Sequence, residues 1–229
     1  MKLRGSAVVA LFLLGGWWTH ARGPGNDTTP GRCVDWVLVQ VERRVWTWRY
    51  YLYWYGLSFA EWSPDHAWHA MRQQSEPWQQ FMRDLVTLWF LYDNGFARPQ
   101  GIRVNELYTS LRNQYPWLQS LDAVLAQRVL RDKWWIRAYR DRTFRHLVVI
   151  QPDEVAARYR QRYPDDAHRP PLETVYSELH EELLQERLRP AFQAWQDELR
   201  DRYRVTVLPI PAACERQYAQ TPSGKDPGR

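Results

Sequence analysis

Two histidines stand at a spacing that could hold a metal ion. Asp65, His66 and His69 form a D-H-x-x-H pattern, which would place two imidazoles on one face of a helix. No third ligand is suggested nearby, and the sequence contains no H-E-x-x-H pattern. Histidines exposed in a loop explain the same residues, so we expect no metal site.

Other catalytic patterns are missing from the sequence. It contains no Gly-rich phosphate loop, no nucleophile elbow and no Cys-His pair. The acidic run Glu178, Glu181, Glu182 and Glu186 is typical of a solvated helix face, and we expect it to pair with Arg187 or Arg189. The sequence therefore predicts a protein that is not an enzyme and needs no cofactor.

The composition favours a folded protein that does not bind nucleic acid. The chain has 229 residues, of which 45% are hydrophobic and 15% aromatic, including 14 tryptophans. This is enough for a single core. The formal charge of +5 comes mostly from arginines that alternate with acids, as in Arg140-Asp141-Arg142, rather than from a basic stripe.

The N-terminal segment has the layout of a secretory signal peptide. Lys2 and Arg4 precede the apolar run Ala7–Leu14, and Thr19-His20-Ala21 is a passable cleavage site. We expect residues 1–21 to be removed on export, which leaves no membrane span, and residues 22–33 to form a flexible linker. The alternative is an uncleaved segment that tethers the protein to the membrane.

The rest of the chain predicts a mostly helical domain. Hydrophobic spacing indicates a hairpin, several helices, a long terminal helix, a closing strand and a disordered tail over residues 212–229. The expected ranges are strands Val34–Val41, Val45–Trp48 and Arg204–Leu208, and helices over 49–57, 78–94, 105–115, 122–139, 153–163 and 172–203. We expect Asn94-Gly95 to end the second helix as a left-handed stop, Ser120 or Asp122 to begin the fourth, and Pro152 to occupy the first helical position of the fifth. We expect an irregular segment at Ser63–Pro77, and a kink or break in the last helix at Pro190. No glycine or asparagine marks the hairpin turn, so a favoured two-residue type is not expected.

Six short segments of the chain follow one another in a recognisable order. They are Val34–Val41 with Val45–Trp48, Asn94-Gly95-Phe96, Arg103–Glu106, Val149–Val155, Tyr159–Pro164 and Pro171–Val207. In this order they resemble the segments of SurA-like periplasmic chaperones, and the similarity covers residues 34–209. The resemblance implies a chaperone domain over residues 34–211, with several helices and a small antiparallel sheet made of the N-terminal hairpin and the C-terminal strand.

The resemblance also implies what this chain can do. Relatives with isomerase activity insert a parvulin domain between segments that here end at Pro164 and begin at Pro171, so no room is left for it. We expect a periplasmic chaperone that holds unfolded exported polypeptides, such as outer-membrane protein precursors, without ATP or isomerase activity. The alternative is an exported scaffold subunit that binds one dedicated partner through an aromatic patch. The sequence leaves the oligomeric state open.

The candidate client-binding residues are aromatic residues that do not fall on a regularly spaced apolar face of a predicted helix. Exposed rings offer large apolar area to an extended client. The candidates are Tyr53, Trp54, Phe59, Trp62 and Trp68. The alternative is that these rings cap the core.

The two cysteines, Cys33 and Cys214, lie near opposite ends of the predicted domain. An even pair in an exported protein is more often a disulfide than two free thiols. In the family the opening hairpin and the closing strand share one sheet. If Val37–Val41 runs antiparallel to Val205–Leu208, the chain can bring Cys214 back towards Cys33.

Overall fold

The protein is mostly helical, with one small antiparallel sheet, as the sequence predicts. The computed structural model describes residues 35–98, 104–164 and 169–219. The predicted signal peptide and linker, Cys33 and residues 220–229 therefore lie outside the described ranges. The elements are β1 (Val37–Val41), β2 (Arg44–Thr47), α1 (Trp48–Phe59), α2 (Pro64–Arg72), α3 (Glu76–Asp93), α4 (Val104–Gln114), α5 (Ala123–Phe144), α6 (Pro152–Arg162), α7 (Leu172–Arg202), β3 (Val205–Val207) and α8 (Ala212–Ala219), with 3-10 turns at Pro116–Ser120 and Arg145–Leu147.

The sheet joins the two ends of the domain. Its strand order is β2-β1-β3, and both pairings are antiparallel, with Val39 opposite Val207. The predicted pairing of the first and last strands is confirmed.

The hairpin turn differs from the expectation, because Val41 pairs with Arg44 and only two residues connect the strands. Glu42 adopts a left-handed φ of 49° without being glycine or asparagine. Its backbone N–H donates to the carbonyl of Arg204 and its carboxylate accepts from the N–H of the same residue, at 3.0 and 2.8 Å. These two bonds to the last strand hold the unfavourable turn in place.

Helix α1 is the centre of the core. Seven of its twelve residues are aromatic, and eight are buried, on every side of the helix. A helix that is apolar all round must be enclosed by other elements, and here β2, α2, α3 and α5 surround it. Thr47 caps the start of the helix, because its hydroxyl accepts from the N–H of Tyr50.

Helix α2 lies within Ser63–Pro77, the segment expected to be irregular, so that expectation is wrong. Ser63 caps the helix by accepting from the N–H of His66 at 3.2 Å, and Pro64 occupies the first turn. Proline needs no N–H there, so Ser-Pro is a helix start as well as a turn signal. Ala67 and Trp68 then face the core.

Helix α7 runs without a break through Pro190. Proline removes one backbone donor, but Leu188 and Phe192 on either side are both buried and anchor the two halves to the same core. The helix packs along α3 and also touches α5 and α6. Of the predicted kink or break, the break is therefore wrong.

The start of the predicted disordered tail is also ordered. Residues 212–219 form α8, whose Tyr218 ring stacks on Trp68 with centroids 5.1 Å apart. The Tyr218 hydroxyl accepts from the indole N–H of Trp48 at 3.0 Å. Tyr218, together with the buried Cys214, thus ties a polar helix to the core, which hydrophobic periodicity does not reveal.

Helix α6 is attached to α7 mainly by ion pairs. Within α6 only Val155 is buried, whereas Arg158 pairs with both Glu182 and Glu186, at 2.8 and 2.7 Å. Further pairs across the same contact are Arg162 with Glu178 and Glu182, and Arg187 with Glu154. The acidic face of α7 therefore pairs with arginines of other elements, not with Arg187 or Arg189 as expected.

Replacing Trp68 with alanine should destabilise the fold strongly. The ring is buried and contacts Trp36, Trp48 and Tyr218, so we expect the free energy of unfolding to fall by about 3–5 kcal/mol. Trp134→Ala is the matched control, because that ring is 38% exposed and should cost about 0.5 kcal/mol. Urea unfolding followed by circular dichroism measures both. Equal losses would contradict the assignment of Trp68 to the core.

Salt should loosen α6 before the rest of the protein. Exposed ion pairs are screened by added ions, so amide hydrogen exchange in α6 should speed up a few-fold at high salt or in Arg158→Met. Hydrogen bonding to Arg158 lowers the pKa of Glu186, so this attachment is complete above the ordinary glutamate pKa and is lost as pH falls through the lowered value.

The matched control for α6 is Arg137→Met, which removes an ion pair with Asp141 inside α5. Exchange in α6 should be unchanged in that variant. Salt-independent exchange in α6 of the wild-type protein would show that the ion pairs do not hold the helix.

Candidate functional site

The structure does not bring the five predicted client-binding rings together on a surface. Tyr53, Trp54 and Trp68 are buried, Trp62 is half-buried, and only Phe59 is exposed. The expectation of exposure is wrong for the three buried rings, because they pack or form hydrogen bonds inside the protein. The Tyr53 hydroxyl accepts from the N–H of Asp122 at 2.7 Å, for example.

An aromatic groove lies instead along the second half of α5. It encloses about 400 Å³, within the size range of ligand pockets. Its lining residues are Phe96, Ala97, Trp135, Ala138, Tyr139, Arg142 and Thr143. The five residues from α5 follow the spacing of one helix face, while Phe96 and Ala97 form the opposite wall.

The end of α3 presents Phe96 to the groove. Gly95 has a φ of +65°, and the N–H of Phe96 donates to the carbonyl of Leu91 at 3.0 Å. This is the left-handed stop predicted from Asn94-Gly95. Phe96 therefore turns out of the helix and stays 42% exposed, while the indole N–H of Trp135 donates to the carbonyl of Ala97 at 3.2 Å and fixes the distance between the two walls.

The floor of the groove is a packed set of rings. Tyr139 contacts Phe90, Phe96 and Trp195, with ring centroids 5.2 to 5.8 Å apart. Phe144 and Phe192 continue the same cluster behind it. Because these rings hold one another from α3, α5 and α7, the groove is formed before any ligand arrives.

The groove carries one cation and no anion. Arg142 is exposed at its edge and forms no ion pair with any residue of the described ranges. Burial raises the pKa of the Tyr139 hydroxyl, so this residue remains a neutral phenol near neutral pH. The groove can therefore accept apolar or aromatic groups of a ligand. The guanidinium of Arg142 favours ligands in which those groups stand beside neutral or acidic residues.

Sequence reasoning missed the groove because its residues look like ordinary helix positions. Trp135 and Tyr139 belong to the apolar stripe of α5, and Phe96 follows a helix stop. The available signal was an aromatic residue placed directly after a left-handed glycine, where it leaves the helix axis. The opposing α5 face could be known only from the tertiary structure.

The histidine pattern forms no metal centre within the described ranges, where no group of three potential ligands is found. Asp65, His66 and His69 lie on α2, and Nδ1 of His66 is 2.9 Å from Oε1 of Glu61. That contact is a surface hydrogen bond or ion pair.

Comparisons with known proteins do not assign this chain to a group. No protein-family model, no curated protein and no solved structure matches it. None of the helices in the described ranges combines the length and apolarity that a membrane span requires.

Proposed function

We propose that this protein is an exported, ATP-independent chaperone that holds aromatic segments of unfolded polypeptides in the groove along α5. The observation that carries the proposal is a preformed cavity walled by aromatic rings, with Phe96 at its open side. Surfaces of this kind on soluble proteins commonly bind other proteins or ligands. The resemblance of the sequence to SurA-like chaperones supports the same function and suggests outer-membrane protein precursors as clients.

The apolar area that a client buries in the groove limits its affinity. One buried aromatic side chain removes about 150–250 Å² from water, worth about 4–6 kcal/mol before the entropy of association is subtracted. A single ring would thus bind with millimolar affinity or weaker. A client with several aromatic segments offers the groove several alternative places to rebind, and each weak contact dissociates without energy from ATP.

Removing the exposed ring should weaken this activity. In Phe96→Ser, suppression of the aggregation of a denatured porin, followed by light scattering, should fall several-fold, because the ring provides the open wall. The free energy of unfolding should change by about 1 kcal/mol. The purified mature chain should show no isomerase activity on a proline peptide.

Val124→Ser is the matched control for Phe96→Ser. Val124 is 78% exposed at the start of α5, so the variant loses an apolar surface group outside the groove. Full activity in Phe96→Ser would remove the groove from the function. Saturable binding of one partner, with no effect on unrelated unfolded proteins, would favour the scaffold function.

Export and the disulfide form the second part of the proposal. Antiparallel pairing of β1 with β3 continues to Leu208, whose N–H donates to the carbonyl of Leu38 at 2.9 Å. The chain then turns into α8, where Cys214 is buried. The end of β3 thus lies beside the start of β1, which favours a bond between Cys214 and Cys33.

Intact-mass spectrometry of the exported protein tests both features. If the predicted cleavage follows Ala21, the chain should begin at Arg22, and its non-reduced mass should be lower by two hydrogens. The bond would close a loop of about 180 residues, worth roughly 5 kcal/mol in the chain-entropy model. Two thiols that alkylate without reduction would disprove the disulfide, and retained Met1 in a membrane fraction would favour the tethered form.

A further inference from the structure

The groove along α5 is flanked by positive charge at both ends. Arg142 lines one end. Trp135 lines the other, and the guanidinium carbon of Arg98 lies 5.2 Å from its ring centroid. Trp135 and Arg142 are seven positions apart on the helix, so the two ends are separated by about two helical turns, roughly 10 Å. A ligand ring in the groove therefore has a cation on each side of it.

Arg142 is free to pair with a ligand because the acid next to it in sequence is already bound. Asp141 accepts two hydrogen bonds from Arg140, at 2.8 and 2.9 Å, and pairs with Arg137 at 3.7 Å. Within the described part of the chain, no carboxylate lies within 4.0 Å of the Arg142 guanidinium. The side chain is exposed at the edge of the groove, so a carboxylate of a ligand can reach it.

The other end of the groove has more cations than anions. The Tyr92 ring packs edge-on against Trp135, with centroids 4.9 Å apart. The guanidinium carbons of Arg44 and Arg98 lie 3.6 and 5.2 Å from the centroid of that Tyr92 ring. Asp132 pairs with Arg98 at 3.4 Å and is buried. Among the described residues Arg44 has no ion pair, so one positive charge at this end remains uncompensated.

An extended peptide matches the separation of the two ends. Its successive side chains point to opposite sides and advance about 3.3 Å per residue. The residues two before and two after a ring therefore share its side and lie about 13 Å apart. The two ends of the groove are roughly 10 Å apart along α5. Flexible arginine and acidic side chains can close the remaining gap.

We propose that the groove selects client segments in which an aromatic residue has acidic residues two positions away on both sides. The ring enters the groove, one carboxylate pairs with Arg142, and the other meets Arg44 and Arg98. Basic residues at the same positions are repelled, so charge adds selectivity to an apolar contact that accepts any ring. This selectivity rests on the proposed function, because it defines which client segments the groove holds.

Peptide titrations followed by NMR test the selectivity. The probes are five-residue peptides, capped at both ends, with a central phenylalanine between two serines and with aspartate, asparagine or lysine at both outer positions. The indole N–H resonance of Trp135 reports binding, because this group connects the two walls of the groove. We expect the aspartate peptide to bind several-fold more tightly than the lysine peptide, since one exposed ion pair contributes up to about five-fold in affinity. The asparagine peptide should fall between them, and added salt should reduce the differences.

Two protein variants and one further peptide locate the origin of the preference. Arg142→Glu should bring the aspartate and lysine peptides to similar affinities and change the affinity for the asparagine peptide little. Arg112→Glu makes the same change in net charge at an exposed residue of α4 outside the groove, and it should retain the preference. A peptide with aspartates next to the phenylalanine and serines outside should bind less tightly than its isomer, because its carboxylates point away from the groove.

The outcomes separate this selectivity from the proposed function. Equal affinities of the aspartate, asparagine and lysine peptides, or a preference that survives Arg142→Glu, would overturn the selectivity and leave the chaperone function in place. Equal affinities of the two aspartate isomers would overturn the assigned spacing. Failure of every peptide to shift the Trp135 resonance would overturn both the selectivity and the use of this groove by clients.

Discussion

Burying the aromatic rings of α1 on every side of the helix costs free energy wherever one of their polar edges lacks a hydrogen-bond partner. An unpaired buried donor costs about 1–3 kcal/mol, and α1 carries four tyrosines and two tryptophans. Tyr50 donates to Asp132 of α5 at 3.1 Å, and Trp54 donates to Asp84 of α3 at 2.9 Å. These two aspartates connect the central helix to its neighbours and fix how each neighbour is rotated about its axis.

The aspartates are themselves costly inside the core. Burial raises the pKa of Asp84 and of Asp132, although nearby cations and hydrogen bonds oppose that rise. The cations are Lys133 for the first and Arg98 for the second. Each aspartate thus stands between a ring edge of α1 and a basic group. The hydroxyl of Tyr51 remains without a hydrogen-bond partner in the described part of the protein.

Aromatic packing stabilises the core, whereas ion pairs stabilise the attachment of α6. Rings from α1, α2 and α8, with Trp36, fill one part of the core, and rings from α3, α5 and α7 line the groove at another. Helix α6 contributes little apolar area and is attached by arginine–glutamate pairs. Its attachment to the rest of the protein therefore depends on salt and pH.

The sequence by itself determined the elements whose start and stop signals are local. The cap at Asp122, the first-turn proline at Pro152, the glycine stop at Gly95 and the pairing of first and last strands are all confirmed. Ser63-Pro64 was also a local signal, but it fits a turn as well as a helix start. Tertiary structure alone decided that Pro190 is tolerated, that Tyr218 orders α8, and that Trp54 and Trp68 are buried while Phe96 is exposed. Each of these outcomes depends on which distant side chain meets a given ring, and hydrophobic spacing along the chain holds no information about that partner.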